Sequence, residues 1–282
     1  MVSVAVPAAT VILVQDGPVS PVVLMLERHS KSTVLPNMYV FPGGRVEDQD
    51  QEIASRLSDF STAKLTNIDP EDAKGFLVAA IRETFEESGI LLARRRGETK
   101  LLGKDAVAPL LPHQTDVQGG QRSFREIVES ADLELAADEL ALHAHWITPE
   151  IAPRRFDTLF FTVEAPSEQL VQHDGIETSS HIWIRPEDAL EQRSRGERQI
   201  IFPTARNLET LTGFKNAQLA LDASRRRPVM TVMPVLKERD GEHRLVIPRE
   251  AGYPTTEESL SGLPQHLFQK PAAASRQESP GD

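Results

Sequence analysis

Three glutamates lie close together in one short segment, Arg82-Glu83-Thr84-Phe85-Glu86-Glu87-Ser88-Gly89-Ile90. On a helix, Glu83, Glu86 and Glu87 occupy positions i, i+3 and i+4, so their carboxylates lie side by side and repel one another. A divalent cation would remove that repulsion. Because oxygen ligands without thiolates suit a small hard ion, the cluster favours Mg²⁺ or Mn²⁺ over zinc. The alternative from these residues alone is a solvated acidic helix face on which Arg82 pairs with Glu86.

The elements around this segment predict how it is positioned. Asp69-Pro70-Glu71-Asp72 supplies a cap, a proline at the first helical position and acids in the first turn, so we expect a helix to begin there. Leu77, Ile81 and Phe85 recur at helical spacing and predict its buried face. Gly89 is the expected end of the helix.

A glycine turn precedes the helix. Residues 10–14 and 22–27 read as two strands joined by a turn, and residues 38–41 as a further short strand that ends at Pro42-Gly43-Gly44. Gly43 and Gly44 would let the backbone approach a metal or phosphate closely, whereas the simpler interpretation is a tight turn.

The rest of the chain alternates strands and helices. We predict strands at 142–147, 158–164 and 181–184, helices at 122–133, 186–192 and 203–224, a strand pair at 229–235 and 243–247, and a loop at 97–120. Beyond about residue 249 the chain is rich in Pro, Ser, Gly and Gln, which predicts a mobile or extended tail over 250–282.

Together these residues resemble the Nudix hydrolase family. Its motif, the Nudix box, starts here at Gly44, reaches Asp50 after five intervening residues and resumes at Arg82, after 31 residues where the motif has seven. The box therefore spans 44–90 if residues 51–74 are an insertion. Asp50 replaces the first box glutamate, and Thr84 replaces an aliphatic residue. The supporting role of that first glutamate stays open between Asp50, Glu47 and an acid within the insertion.

Further motifs resemble one branch of the family. Trp146-Ile147-Thr148-Pro149 and Arg154-Arg155-Phe156-Asp157-Thr158 are similar to the coenzyme A diphosphatase-like branch, which also carries a long insertion in its box. The resemblance implies an α/β fold, a Nudix-type α/β/α sandwich with a mixed β-sheet, formed by residues 1–249.

The resemblance also implies an activity, the divalent-metal-dependent hydrolysis of the diphosphate bond in a nucleoside diphosphate linked to another group. Candidate substrates are coenzyme A, its acyl esters, NADH and ADP-ribose. The metal ligands implied are Glu83, Glu86 and Glu87, with Arg82 orienting a box carboxylate. The alternative function is a catalytically silent module of the same fold that senses nucleotides.

Other site residues follow from looser matches. Glu177 lies in a loop where Nudix enzymes often place an additional catalytic glutamate, and the alternatives are Asp174 or a solvated loop acid. Arg154 and Arg155 could bind phosphate through their guanidinium groups, or could form a structural ion pair with Asp157.

Composition limits the partners. The 31 basic and 42 acidic residues give a net charge of −11, which argues against nucleic-acid binding by general charge attraction. The sequence has no cysteine, which permits the reducing cytoplasm that we predict, and no apolar run long enough to span a membrane. A homodimer is left open. His173 and His181 are not spaced as a pair of metal ligands.

Overall fold

The computed structural model describes residues 3–32, 36–55, 68 and 70–261. Residues 56–67 and 69 of the predicted insertion, and residues 262–282 of the predicted tail, lie outside this range. The strands are β1 (Val6–Gln15), β2 (Val22–Arg28), β3 (Tyr39–Val40), β4 (Gly43–Arg45), β5 (Ala93–Arg95), β6 (Leu133–Leu135), β7 (Ala141–Ile147), β8 (Phe156–Glu164), β9 (Thr178–Ile184), β10 (Thr231–Val232), β11 (Val235–Arg239), β12 (Glu242–Val246) and β13 (Glu257–Ser259). The α-helices are α1 (Asp48–Ala54), α2 (Pro70–Ser88), α3 (Lys104–Val107), α4 (Gln114–Gln118), α5 (Phe124–Ser130), α6 (Pro186–Ser194), α7 (Phe202–Glu209) and α8 (Ala217–Arg226).

One mixed sheet forms the centre of the fold. Its strand order is β10-β7-β8-β1-β2-β3, with β4 beside β1 and β9 beside β2. Strand β1 pairs in parallel with β8 and antiparallel with β2 and β4. The mixed sheet implied by the resemblance is therefore confirmed.

Strand β1 separates two hydrophobic cores. Ala9, Val11 and Leu13 belong to the core that contains the apolar face of α2, while Ile12 and Val14 belong to the core that contains residues of α7 and α8. Successive side chains of a strand point to opposite faces, so a strand buried on both sides needs helices above and below it. The predicted α/β/α sandwich is confirmed.

Helix α2 carries the glutamate cluster. Leu77, Ile81 and Phe85 are buried, as their spacing predicts, and α2 packs against β1 and β4. The helix ends where predicted, because Gly89 adopts a φ of 70° and its N–H donates to the carbonyl of Phe85 at 2.8 Å. The packing of α2 brings its polar residues to the Gly43–Gly44 strand.

Four predicted segments differ from the structure. The segment at 229–235, predicted as one strand of a pair with 243–247, contains β10, which pairs in parallel with β7, and the partner of β12 is β11. The loop predicted at 97–120 contains α3 and α4, and the helix predicted at 122–133 is the shorter α5 followed by β6. The single helix predicted at 203–224 is two helices. Gly213 has a φ of 80°, and the Asn216 side chain caps α8 by accepting the N–H of Leu219 at 2.9 Å. The apolar spacing continues across this break, so periodicity alone could not detect it.

The first part of the predicted tail packs against the second core. Tyr253 is buried, accepts a hydrogen bond from the indole of Trp146 at 2.9 Å and donates to Asn207 at 3.1 Å. Strand β13 joins β11 and β12 in a small antiparallel sheet. Contacts of the sandwich thus continue beyond residue 249. Among the described helices, none has the length and apolar character needed to cross a membrane.

Candidate active site

Arg82 and Asp50 form a buried two-point ion pair. Arg82 Nε lies 2.8 Å from Asp50 Oδ1 and Nη2 lies 2.9 Å from Oδ2, with both side chains at most 2% exposed. Asp50 also accepts the N–H of Glu47 at 2.8 Å, at the start of α1. Of the acids left open for the first box position, Asp50 is the one that contacts Arg82 in the described part of the chain.

Arg82 also orients the carboxylates of α2. Its Nη1 donates to Glu83 at 2.9 Å and to Glu86 at 3.0 Å, and its Nη2 donates to the carbonyl of Arg45 at 2.8 Å. With Asp50, these contacts use all five guanidinium N–H groups. Burial opposes the charge of Arg82, but the hydrogen bond with Asp50 and the charges of the neighbouring acids raise its pKa. Arg82 is therefore a fixed cation inside the cluster.

The two glycines of β4 receive two of the glutamates. The N–H of Gly43 donates to Glu87 Oε2 at 3.0 Å. A Cβ on Gly44 would lie 2.4–2.6 Å from the three atoms of the Glu83 carboxyl group. Gly43 and Gly44 thus lie in a strand paired with β1 rather than in the predicted turn, and Glu83 and Glu87 rest against them. A side chain at Gly44 would displace Glu83.

These carboxyl groups are electrostatically strained. Burial raises the pKa of Glu83 to about 8, because the charge of Arg82 offsets only part of the lost solvation and the charge of Glu86 raises the pKa further. Burial and the charge of Glu83 also raise the pKa of Glu87 well above its ordinary value. Burial raises the pKa of Glu86 as well. A positive charge placed beside them would therefore be stabilising.

Glu177 reaches this cluster through Arg28, a residue that is not among the predicted site residues. Arg28 Nη1 lies 3.8 Å from Glu87 Oε1, and Nη2 lies 3.7 Å from Glu177 Oε2. Strand β2 pairs with β9 in a register that sets Arg28 opposite Thr178, which places Glu177 next to Arg28. The Glu177 side chain is 49% exposed, so it faces both the cluster and solvent.

Asp174 holds the loop that carries Glu177. Its Oδ1 accepts the N–H groups of Ile176, Glu177 and Thr178 at 2.9, 3.1 and 2.9 Å and the hydroxyl of Thr178 at 3.0 Å. Its Oδ2 accepts a hydrogen bond from Gln118 of α4. Each oxygen of Asp174 is thus engaged by the protein, and its role in this geometry is to fix the loop.

Two other predicted residues lie apart from the cluster. Arg155 donates to the carbonyls of Thr148 at 3.0 Å and Ser3 at 2.7 Å, while Arg154 is exposed. Asp157 pairs with His145, so the alternative of an ion pair with these arginines is wrong. Phosphate binding by Arg154 and Arg155 stays a prediction.

His173 and His181 meet although their sequence spacing did not suggest it. Their Nδ1 atoms are 3.3 Å apart because the turn before β9 folds residue 173 back onto the strand. Burial and the charge of His173 lower the pKa of His181. Their contact is not visible in the sequence spacing, and the prediction that they are not a pair of metal ligands stays a prediction.

The donor set fits a small hard cation. Among the described residues, no group of three or more His, Cys, Asp or Glu side chains is arranged to hold a metal ion without further ligands. Mg²⁺ does not require one, because it keeps several waters and binds through one or two carboxylates together with substrate phosphates. Glu83, which is partly buried, and Glu87, which is buried, supply two carboxylates whose pKa values are raised by desolvation.

Comparison with known proteins decides the family. The family model of the NUDT19 Nudix domain matches residues 51–211, which is more than half of the chain. The chain belongs to the Nudix hydrolase family. A crystal structure of a Nudix hydrolase from Alicyclobacillus acidocaldarius superposes with a TM-score of 0.67 at 26% identity, covering 79% of this chain and 97% of that one.

Two curated Nudix relatives carry a more specific name. The acyl-coenzyme A diphosphatase NUDT19 of Homo sapiens is 29% identical over 206 residues, covering 60% of this chain and 54% of that protein. The protein of the same name from Xenopus laevis is 28% identical over 205 residues, with the same coverage of 60% and 54%. The chain thus spans about half the length of these relatives.

Proposed function

We propose that the chain hydrolyses the diphosphate bond of a nucleoside diphosphate linked to another group, with Mg²⁺ or Mn²⁺ held by Glu83 and Glu87 and with Glu86 as a further ligand. The observation that carries the proposal is that Glu83 and Glu87 both lie against Gly43 and Gly44. The guanidinium of Arg28 lies between Glu87 and Glu177. Membership of the Nudix family supports it.

The residues divide the chemistry among them. A divalent ion at this site supplies positive charge against the diphosphate oxygens and acidifies a nearby water. Glu177, half exposed beside the cluster, accepts the proton of the attacking water. The new P–O bond forms as the bond to the bridging oxygen breaks, which leaves two phosphate-bearing products. Arg82 fixes Glu83 and Glu86, and Arg28 holds Glu87 and Glu177 near one another.

The substrate class proposed is coenzyme A or its acyl esters, with NADH and ADP-ribose as further candidates. Its support is the name of the two relatives, acyl-coenzyme A diphosphatase. Incubating the protein with each conjugate and Mg²⁺ or Mn²⁺, followed by mass analysis, tests this. Release of 3′,5′-ADP from coenzyme A is the expected result. Cleavage of another conjugate alone would reject the substrate class but retain the hydrolase.

Single substitutions test the site. Glu83→Gln and Glu87→Gln are each expected to lower turnover at least about 100-fold, because each removes a charge that the reaction uses. Glu191→Gln, an exposed carboxylate on α6, is the control and should retain full activity. Full turnover in either site variant would reject the assignment.

Binding of ADP-ribose without any product would favour the nucleotide-sensing alternative. The cytoplasmic location and a homodimer stay predictions.

A further inference from the structure

A cavity of about 210 Å³ opens between α2 and the segment that joins α4 to α5. Val117 is the one apolar residue among those that line it. Ligand pockets for whole small molecules are usually about 300–1,000 Å³, so this space suits one polar group of a larger ligand. Arg82 and Glu86 form one wall, which places the cavity directly beside the proposed active site.

One wall of the cavity is rich in hydrogen-bond acceptors. Glu47 and Glu86 contribute carboxylate oxygens. Gln118 Oε1 is buried and has no hydrogen-bond partner among the described residues, although the amide nitrogen of the same side chain donates to Asp174. A bare anion would be repelled here, whereas a hydrated cation would find acceptors for its waters.

The lining of the cavity also includes two guanidinium groups, those of Arg82 and Arg122. All five N–H groups of Arg82 are used within the protein. The Arg122 guanidinium donates to the hydroxyl of Ser130 at a long 3.3 Å, and it forms no ion pair with a carboxylate of the described residues. Arg122 is therefore the cation of this cavity that can bind an incoming group.

We propose that Arg122 binds a phosphate group of the substrate, which enters the cavity as its hydrated divalent-metal complex. The guanidinium fork matches phosphate oxygens, and waters on the metal would donate to the acceptor wall. This explains why acidic and basic groups line the same small space. The inference rests on the proposed function and adds a substrate-binding residue to it.

The test uses methylenediphosphonate, a diphosphate analogue whose P–C–P bridge resists hydrolysis, with Mg²⁺. Calorimetry on the full chain measures its dissociation constant. Arg122→Gln is expected to raise that constant about 10- to 100-fold, because a charge-assisted contact is lost. Arg122→Lys keeps the positive charge without the planar guanidinium, so its dissociation constant should lie between those of the unsubstituted protein and Arg122→Gln. Arg125→Gln removes a guanidinium of α5 that is paired with Glu129, and should leave binding unchanged.

Binding by Arg122→Gln within about twofold of the unsubstituted protein would overturn the inference, provided that its melting temperature is unchanged. If Arg122→Gln unfolds, the dissociation constant of Arg122→Lys is the deciding measurement. An unchanged constant in that folded variant would reject two-point binding of phosphate by the Arg122 guanidinium. The two proposals fail separately. If the protein hydrolyses a conjugate but binds methylenediphosphonate equally well without Arg122, only the role of Arg122 is rejected. Arg122-dependent binding in a protein that cleaves no conjugate rejects only the hydrolase.

Discussion

Asp50 and Arg82 lie on opposite sides of the predicted insertion, and their side chains form a buried two-point ion pair. This pair closes the Nudix box across the added residues. It gives Arg82 the fixed orientation from which it holds Glu83 and Glu86. The contact therefore connects the start of α1 to the carboxylates at the centre of the site.

Removal of Asp50 should destabilise the fold strongly. Asp50→Ala leaves the guanidinium of Arg82 buried and partly uncompensated, which typically costs about 3–5 kcal/mol. Glu191→Ala breaks an exposed i, i+4 pair with Arg195 and should change the free energy of unfolding by less than about 0.5 kcal/mol. Urea unfolding of both variants measures the difference. Equal changes in the free energy of unfolding would show that the buried Asp50–Arg82 pair stabilises the fold no more than an exposed ion pair does.

The metal-free protein should lose stability as the pH rises. Glu83 has a pKa of about 8 in the fold and a lower value in the unfolded chain, so the folded state binds its proton more tightly. The stabilising proton is fully present below the unfolded pKa and is lost as the pH rises toward 8. Glu83→Gln carries no such charge, so in EDTA it should melt above the unsubstituted protein near pH 8.5.

That difference should shrink toward pH 5, where Glu83 is protonated in the fold. Added Mg²⁺ should also shrink it, because the cation stabilises the ionised carboxylate. Thermal melts of both proteins across this range, with EDTA or Mg²⁺, check the prediction. A difference in melting temperature that does not vary with pH would show that ionisation of Glu83 does not destabilise the fold.

Gly44 should be intolerant of a side chain for a reason specific to the site. Gly44→Ala pushes the Glu83 carboxyl group out of the space that it shares with Arg82. We expect turnover to fall about 10- to 100-fold, as for other small displacements of catalytic groups. In Gly103→Ala the new Cβ also meets a carboxylate, that of the exposed Glu168, which can move aside. Comparable activity in the two variants would reject the role of Gly44.

Local signals in the sequence predicted the helix that carries the site. The proline at its start, the spacing of Leu77, Ile81 and Phe85, and Gly89 at its end act over a few residues each. The role of Arg28 depends instead on the register between β2 and β9, two strands far apart in sequence. No local pattern encodes that register. The meeting of His173 with His181, and the choice of Asp50 over Glu47, escaped prediction for the same reason.

Asp174 should act on the reaction through Glu177. Asp174→Ala removes the acceptor of three loop N–H groups, so Glu177 loses its fixed place, and turnover should fall about 10-fold or more. Asp174→Asn retains the Oδ1 acceptor. Its amide nitrogen would replace the oxygen that faces Gln118 Nε2, so the Gln118 amide must turn over to present Oε1, which lacks a partner among the described residues. Near-normal activity is therefore expected. If Asp174 acts only by positioning, adding Asp174→Ala to Glu177→Gln should cost little further activity, because the group that it positions is already disabled. Steady-state turnover of the four proteins of this cycle supplies the measurement. Additive losses would mean that Asp174 supports the site by a route other than Glu177.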